Sequence, residues 1–253
     1  MPRYFLELAY KGTAYSGFQV QENANTIQSE VEKALQTVFR QSFELTGSSR
    51  TDAGVHSLQN FFHFNTDLGI TNQSIYNMNA ILPKDITAKG IYQVPPAAHC
   101  RFDAIAREYK YFIYRKKDPF MVDRGWLYPF PLDREVLQQA AQILLEYTDF
   151  TSFSKRNTQV KTFLCTIEQS EWCIEGELLI YHVKANRFLR GMIRGLVGTM
   201  VKLARGHISI SEFSSIIEGK DCTKADFSTP AQGLFLTHVE YDKALSAYLQ
   251  AKN

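Results

Sequence analysis

Apolar and polar positions alternate from Arg3 to Tyr10, the period of a half-buried strand, and Lys11-Gly12-Thr13 ends the run as a turn. The period then lengthens. Ile27, Val31, Ala34, Leu35, Val38 and Phe39 recur at helical spacing, while Gln28, Glu30, Glu32 and Lys33 fill the opposite face, which predicts an amphipathic helix. Thr26 is placed as its N-cap, with Ser29 standing where a capping box has Glu. Short strands are expected at residues 43–46 and 59–65, a second helix at 73–81, and a further strand at Ile86–Val94.

The second half repeats the theme. A strand is expected at residues 106–114, then a helix at 133–145 with Val136, Leu137, Ala140, Ala141 and Leu144 inward. Strands at 162–172 and Leu178–Ala185 follow, then a long helix at 188–205, a shorter one at 211–217 and a last strand at Leu234–Tyr241. The strand–helix–strand–strand–helix–strand order of the first half is that of a split βαβ unit. The fold class expected is therefore α+β. It comprises two RRM-like, ferredoxin-like halves, residues 1–105 and 106–253, whose mainly antiparallel sheets join across a central cleft. This rests on element order, because no letter-by-letter repeat accompanies it.

Composition narrows the class. The 253 residues are 45% hydrophobic and 21% charged, which excludes a disordered chain. No apolar run approaches the ~20 residues of a membrane span, and the N-terminus enters a strand with no secretory h-region, so a cytoplasmic protein is expected. Cys100, Cys165, Cys173 and Cys222 are scattered, with no ligand spacing for a metal and too few for a disulfide framework. Neither GxGxxG nor a P-loop occurs, so no nucleotide cofactor is implied. The formal net charge is only +2, so any charge that serves a nucleic acid must be local.

Chemistry concentrates in Gly47-Ser48-Ser49-Arg50-Thr51-Asp52-Ala53-Gly54-Val55-His56. Small residues there allow close approach of another backbone or a flat ligand, and a guanidinium two positions away favours the charged form of the Asp52 carboxylate. A charged carboxylate suits a nucleophile or base rather than a general acid. Asp-Ala-Gly is also ordinary turn material, and spacing alone leaves both readings open. On the long helix, Arg187, Gly191, Arg194, Gly195, Gly198, Lys202 and Arg205 share one side opposite the apolar face. Such a stripe suits a phosphate backbone, and equally a solvated face whose glycines permit close packing. The glycines cost roughly 1 kcal/mol each against alanine, so a close neighbour is expected, whether RNA or protein. Lys155-Arg156-Asn157 and Arg115-Lys116-Lys117 add local charge, and Lys11, Tyr15, Phe18 and Gln19 form a loop able to touch an RNA backbone. The six histidines show no triad spacing.

Gly47–Ser57 resembles the catalytic loop of the TruA family of tRNA pseudouridine synthases, close to AGRTDAGVHA, with Ser48, Ser49 and Ser57 as departures. Tyr10-Lys11-Gly12 with Tyr15-Ser16-Gly17-Phe18-Gln19 is similar to the family's opening motif, with Lys11 where Asp is usual. Thr26-Ile27-Gln28, Phe102 with Arg107-Glu108-Tyr109-Lys110-Tyr111, and Phe150-Thr151-Ser152-Phe153 match further family segments. So do Asn186-Arg187-Phe188 through Arg194, and Pro230-Ala231-Gln232-Gly233-Leu234. The landmarks run in order across nearly the whole chain.

The resemblance implies a cofactor-independent, metal-free isomerase that breaks the glycosidic bond of an RNA uridine, turns the uracil and rejoins it through C5. It implies that Asp52 is the essential carboxylate, through attack at C1′ or through a glycal. Arg50 then helps hold the flipped nucleotide, Tyr109 packs on the target base and Arg194 pairs with the catalytic carboxylate, with Phe188 assigned to substrate binding beside them. Lys11, Arg187, Arg190, Lys155 and Arg156 are assigned to wider RNA contact. The implied substrate is the tRNA anticodon stem-loop at positions 38 to 40, and the implied assembly is a homodimer. The departures at Lys11, Ser48 and Ser49 leave room for a paralogue acting on another tRNA or ribosomal uridine. Two further readings stand beside these: a non-catalytic RNA-binding module that would not need Asp52, and a small-molecule glycosidase, which would want a second carboxylate.

Overall fold

A computed structural model describes residues 1–156 and 160–250. The fold is α+β with mainly antiparallel strands, in two compact units. The first unit is Met1–Ala106 together with the closing segment from Phe235, and the second is Arg107–Leu234. That closing segment is the difference from a sequential division at 105/106, which leaves it in the second half.

In the first unit, β1 (Arg3–Tyr10) leads through a short 3-10 turn into α1 (Ile27–Phe39). There follow β2 (Thr46–Gly47), β3 (His56–Asn65), α2 (Asn72–Ile81) and β4 (Ile86–Val94). The strand β1 is central, antiparallel to β4 on one side and to β3 on the other. Its even residues Tyr4, Leu6, Leu8 and Tyr10 join Ile27, Val31, Leu35 and Met78 of the helices in one core, the outcome of period-two and period-3.6 stripes facing each other. The α1 start is a capping box in which Ser29 does the work expected of Glu. The Thr26 side chain accepts from the Ser29 N–H, and Ser29 Oγ accepts from the Thr26 N–H at 3.2 Å.

In the second unit, β5 (Ala104–Tyr114) pairs with the two-residue β6 (Trp126–Leu127), and α3 (Arg134–Ile143) follows, capped by the Asp133 carboxylate. Next come β7 (Ile167–Glu175), β8 (Leu178–Ala185), α4 (Met192–Ala204) and α5 (Ile210–Glu218). Its sheet runs β5-β8-β7 with antiparallel pairs, and the short β6 lies parallel to β5. The chain then returns to the first unit as β9 (Leu234–Tyr241), whose residues from Phe235 lie parallel to the start of β3, and ends in α6 (Lys243–Gln250).

The strand expected at 43–46 is only Thr46–Gly47, the one expected at 162–172 begins at Ile167, and two expectations about the long helix change. The long helix begins at Met192 rather than 188, because Gly191 takes a left-handed conformation (φ 74°) that a continuing helix does not allow. And α4 is buried almost all round, Gly195 and Gly198 included. A Cβ at Gly195 would stand 2.8 Å from the Phe227 ring, and one at Gly198 would collide with the Asp226 carbonyl. The close neighbour of these two glycines is therefore protein, so the middle of the stripe does not face a phosphate backbone. No helix among the described residues is long and apolar enough to cross a membrane.

Candidate active site

The loop between β2 and β3 is buried at its flanks and open at its centre. Ser48, Ser49, Thr51, Val55 and His56 are buried, Arg50 and Ala53 are exposed, and Asp52 is half-buried between them. The Asp52 carbonyl accepts from the Val55 N–H at 3.2 Å, and Gly54 has φ 80°, so the turn reading holds as well and the turn presents the carboxylate.

A buried polar network fixes that loop. Asn60 of β3 shares parity with the core residues Phe62 and Phe64, yet carries an amide. Its Nδ2 donates to the Ser49 carbonyl (2.9 Å) and to Tyr10 Oη (3.0 Å), and its Oδ1 accepts from Ser48 Oγ (2.7 Å). Tyr10 Oη is also 2.7 Å from Thr51 Oγ1. Burial pushes the Tyr10 phenol up to about 12, against the pull of Thr51, Asn60 and Ser57, so it stays neutral and keeps its proton for hydrogen bonding. Sequence reasoning missed Asn60 and Tyr10 as loop supports. The available signal was an amide in an otherwise apolar strand register.

The opening motif is the other support. The Phe18 N–H donates to the Thr51 carbonyl at 3.1 Å, and the Gly12 N–H donates to His56 Nδ1 at 3.1 Å. A Cβ at Gly12 would collide with the Val55 carbonyl. Tyr15 and Phe18 are thus core residues, Phe18 stacking on Phe62 at 4.5 Å, and are not available to an RNA backbone; Lys11 and Gln19 of that loop are exposed. The departures Ser48, Ser49 and Ser57 are also internal, and Ser57 Oγ donates to the Leu236 carbonyl at 3.3 Å. Of the three departures read as touching RNA, Ser48 and Ser49 therefore point inward and Lys11 alone is exposed. His56 is buried and stacked on Phe235 at 4.4 Å.

In the second unit, Tyr109 lies on β5 opposite Val183 of β8, 9% exposed, with the half-buried Phe188 ring edge-on at 5.1 Å. Arg194 Nε donates to the Thr229 carbonyl at 2.7 Å, and Thr229 Oγ1 donates back to the Arg194 carbonyl at 2.8 Å. Tyr111 Oη donates to the Pro230 carbonyl at 2.7 Å, and a Cβ at Gly233 would stand 2.6 Å from the Tyr111 ring. The tyrosine strand, the α4 entry and the segment 229–233 therefore hold one another. The Lys155 N–H donates to the Arg190 carbonyl at 3.0 Å, and the Lys155 stem packs over Gly191. This brings two of the basic candidates together from distant segments. Arg190 and Arg156 are exposed and Arg187 is half-buried, while Asn157 lies outside the described residues. The structure thus groups Tyr109 with Phe188 and Lys155 with Arg190 in the second unit, while Arg50 and Asp52 share one loop of the first.

Comparison with known proteins adds a second line. A family model described as tRNA pseudouridine synthase matches residues 8–104 and 140–242. The chain is 42% identical over 247 residues to tRNA pseudouridine synthase A of Parabacteroides distasonis, covering 97% of this chain and 98% of that protein. It is 43% identical over 245 residues to that of Bacteroides thetaiotaomicron (95% and 91%) and 36% identical over 244 residues to one from Staphylococcus aureus (95% and 92%).

Proposed function

The chain belongs to the tRNA pseudouridine synthase family, an isomerase family, and we propose that it converts uridine to pseudouridine at positions 38 to 40 of the tRNA anticodon stem-loop with Asp52 as the essential carboxylate. The observation that carries the assignment to Asp52 is its setting: a half-buried acid at the centre of a loop whose flanks are fixed by Asn60, Tyr10, Phe18 and Gly12. Such anchoring holds a reacting group in place without reorganisation during the reaction.

The chemistry is an internal rearrangement. The C1′–N1 bond breaks, a C1′–C5 bond forms, C5 loses a proton and N1 gains one, so no cofactor or metal is required by the balance. Asp52 serves either by attack at C1′ or by taking the C2′ proton to give a glycal. In this proposal Arg50 stabilises the extruded nucleotide, since flipping costs a few kcal/mol of lost stacking. Tyr109, with Phe188 at its edge, packs on the base, and Arg194 is the counter-charge of the carboxylate. Lys11, Arg187, Arg190, Lys155 and Arg156 supply phosphate contacts. Two ferredoxin-like halves meeting across a cleft, a homodimer and a cytoplasmic setting belong to the same proposal.

Incubation with unmodified tRNA, followed by nucleotide-resolved mapping of pseudouridine, tests it. Asp52→Asn is expected to abolish turnover while keeping RNA affinity within about threefold, the steric change being small. Wild-type turnover in that variant would overturn the mechanism.

A further inference from the structure

The turn at residues 98–103 of the first unit holds an aromatic side chain that neither core uses. Phe102 is 74% exposed, although the backbone around it is tightly fixed. His99 Nδ1 accepts from the N–H groups of Arg101 (3.2 Å) and Phe102 (3.3 Å). The Asp103 carboxylate accepts from the His99 N–H at 2.8 Å, and the Asp103 N–H donates to the His99 carbonyl at 3.0 Å. At the start of the turn, Arg3 donates to the Ala98 carbonyl at 2.8 Å. The His99 ring leans on Phe102, centroids 4.2 Å apart at 33°, and its other ring contact is edge-on with the buried His63 at 4.5 Å. The Arg101 guanidinium lies over the Phe102 ring, 5.6 Å from its centroid.

Single exposed apolar residues are common and need no explanation. A rigidly presented ring, backed by a second ring and flanked by an exposed arginine, is a narrower combination. The exposed ring offers a π-surface that accepts any base, the guanidinium over it adds a cation for a phosphate and a plane on which a base can stack, and the pre-set turn lowers the ordering cost of binding. Unpaired loop nucleotides are what such platforms take, because the bases of a duplex are already stacked on one another.

We propose that Phe102, backed by His99 and flanked by Arg101, is a stacking platform for an unpaired nucleotide of the RNA substrate. The proposal rests on the reading of the substrate as tRNA. Its test uses binding rather than conversion, so the two fail separately: absence of pseudouridine from the wild-type reaction counts against the isomerase reading, whereas the platform is judged by affinity.

Fluorescence anisotropy with an anticodon stem-loop RNA and with a blunt duplex of the same stem is the measurement, on wild type, Phe102→Ala, Phe102→Leu and Phe102→Trp. Phe102→Ala is expected to weaken stem-loop binding roughly 5- to 100-fold and duplex binding by less than about twofold, the range known for loss of one base stack. Phe102→Trp should restore the affinity and Phe102→Leu should not, since the contact needs a π-face. Because the side chain is exposed, the melting temperature should be unchanged in all three. Stem-loop affinity unaltered in Phe102→Ala would overturn the proposal. So would equal losses on stem-loop and duplex, full function with Leu, or a shift in oligomeric state on gel filtration, which would assign the ring to a protein contact.

Discussion

At the scale of single residues, the catalytic candidate is less informative than what holds it. Asn60 satisfies three groups at once, the Ser48 hydroxyl, the Ser49 carbonyl and the Tyr10 hydroxyl, in a place water does not reach. Removing the amide takes one bond from each of these buried groups, although Tyr10 Oη keeps Thr51 and Ser48 Oγ keeps the Phe61 N–H; a buried polar group left fully unsatisfied costs about 1–3 kcal/mol. Partial rearrangement among them should reduce the sum, so Asn60→Ala is expected to cost about 2–4 kcal/mol in urea denaturation. It should also lower kcat with little change in KM for tRNA, because the loop is displaced while the basic surface is untouched. A variant with wild-type stability would show that the network is replaceable.

At the scale of elements, α4 shows how far a pattern can be read. Its apolar stripe was legible: Met192, Ile193, Leu196, Val197, Met200 and Leu203 are all buried. The opposite side was not, because spacing cannot tell a glycine that faces solvent from one pressed against another segment, and the segment 226–229 that covers Gly198 carries no regular period. Gly198→Ala is therefore expected to destabilise by about 2 kcal/mol or more in urea denaturation, even though alanine is the better helix former by roughly 1 kcal/mol. A stabilised variant would mean that the Asp226 carbonyl moves away cheaply. The strands β1, β4, β8 and β9 were legible to the residue, since alternation bounded by turns leaves one register. The start of β3 was not: His56 and Ser57 have no outward periodicity and pair with β9, about 180 residues away along the chain, Ser57 also lying opposite Tyr10 of β1. The candidate loop was legible from its residues, whereas its support by Tyr10, Gly12 and Phe18 is tertiary and became visible only in three dimensions.

At the scale of the whole molecule, burial sets a pH limit on stability. His63 is 7% exposed, and burial, helped by His99 and Arg3, lowers its pKa from 6.5 to about 4. Between those values the unfolded chain binds a proton that the folded chain refuses, so stability is complete above about pH 6.5 and falls as pH drops towards 4, by up to about 3 kcal/mol. Urea midpoints at pH 7.5 and pH 5 should differ more for wild type than for His63→Gln, and equal differences would assign the acid sensitivity to other groups. The crossing of the chain between units at Ala106–Arg107 and again at Leu234–Phe235 has a larger consequence. Residues 1–106 alone lack Tyr241, whose ring packs on Phe5 and Phe61 and whose hydroxyl donates to the Cys100 carbonyl at 2.6 Å. They also lack the buried Leu236 and Val239. Losing one buried aromatic costs about 3–5 kcal/mol, a large part of the 5–15 kcal/mol by which domains are stable. The fragment 1–106 is thus expected to show no cooperative unfolding by circular dichroism. The same fragment with residues 235–250 rejoined through a flexible linker should recover it, since the cost of closing such a loop grows only slowly with its length. Cooperative unfolding of the bare fragment would show that β9 is an accessory to the first unit rather than a part of its core.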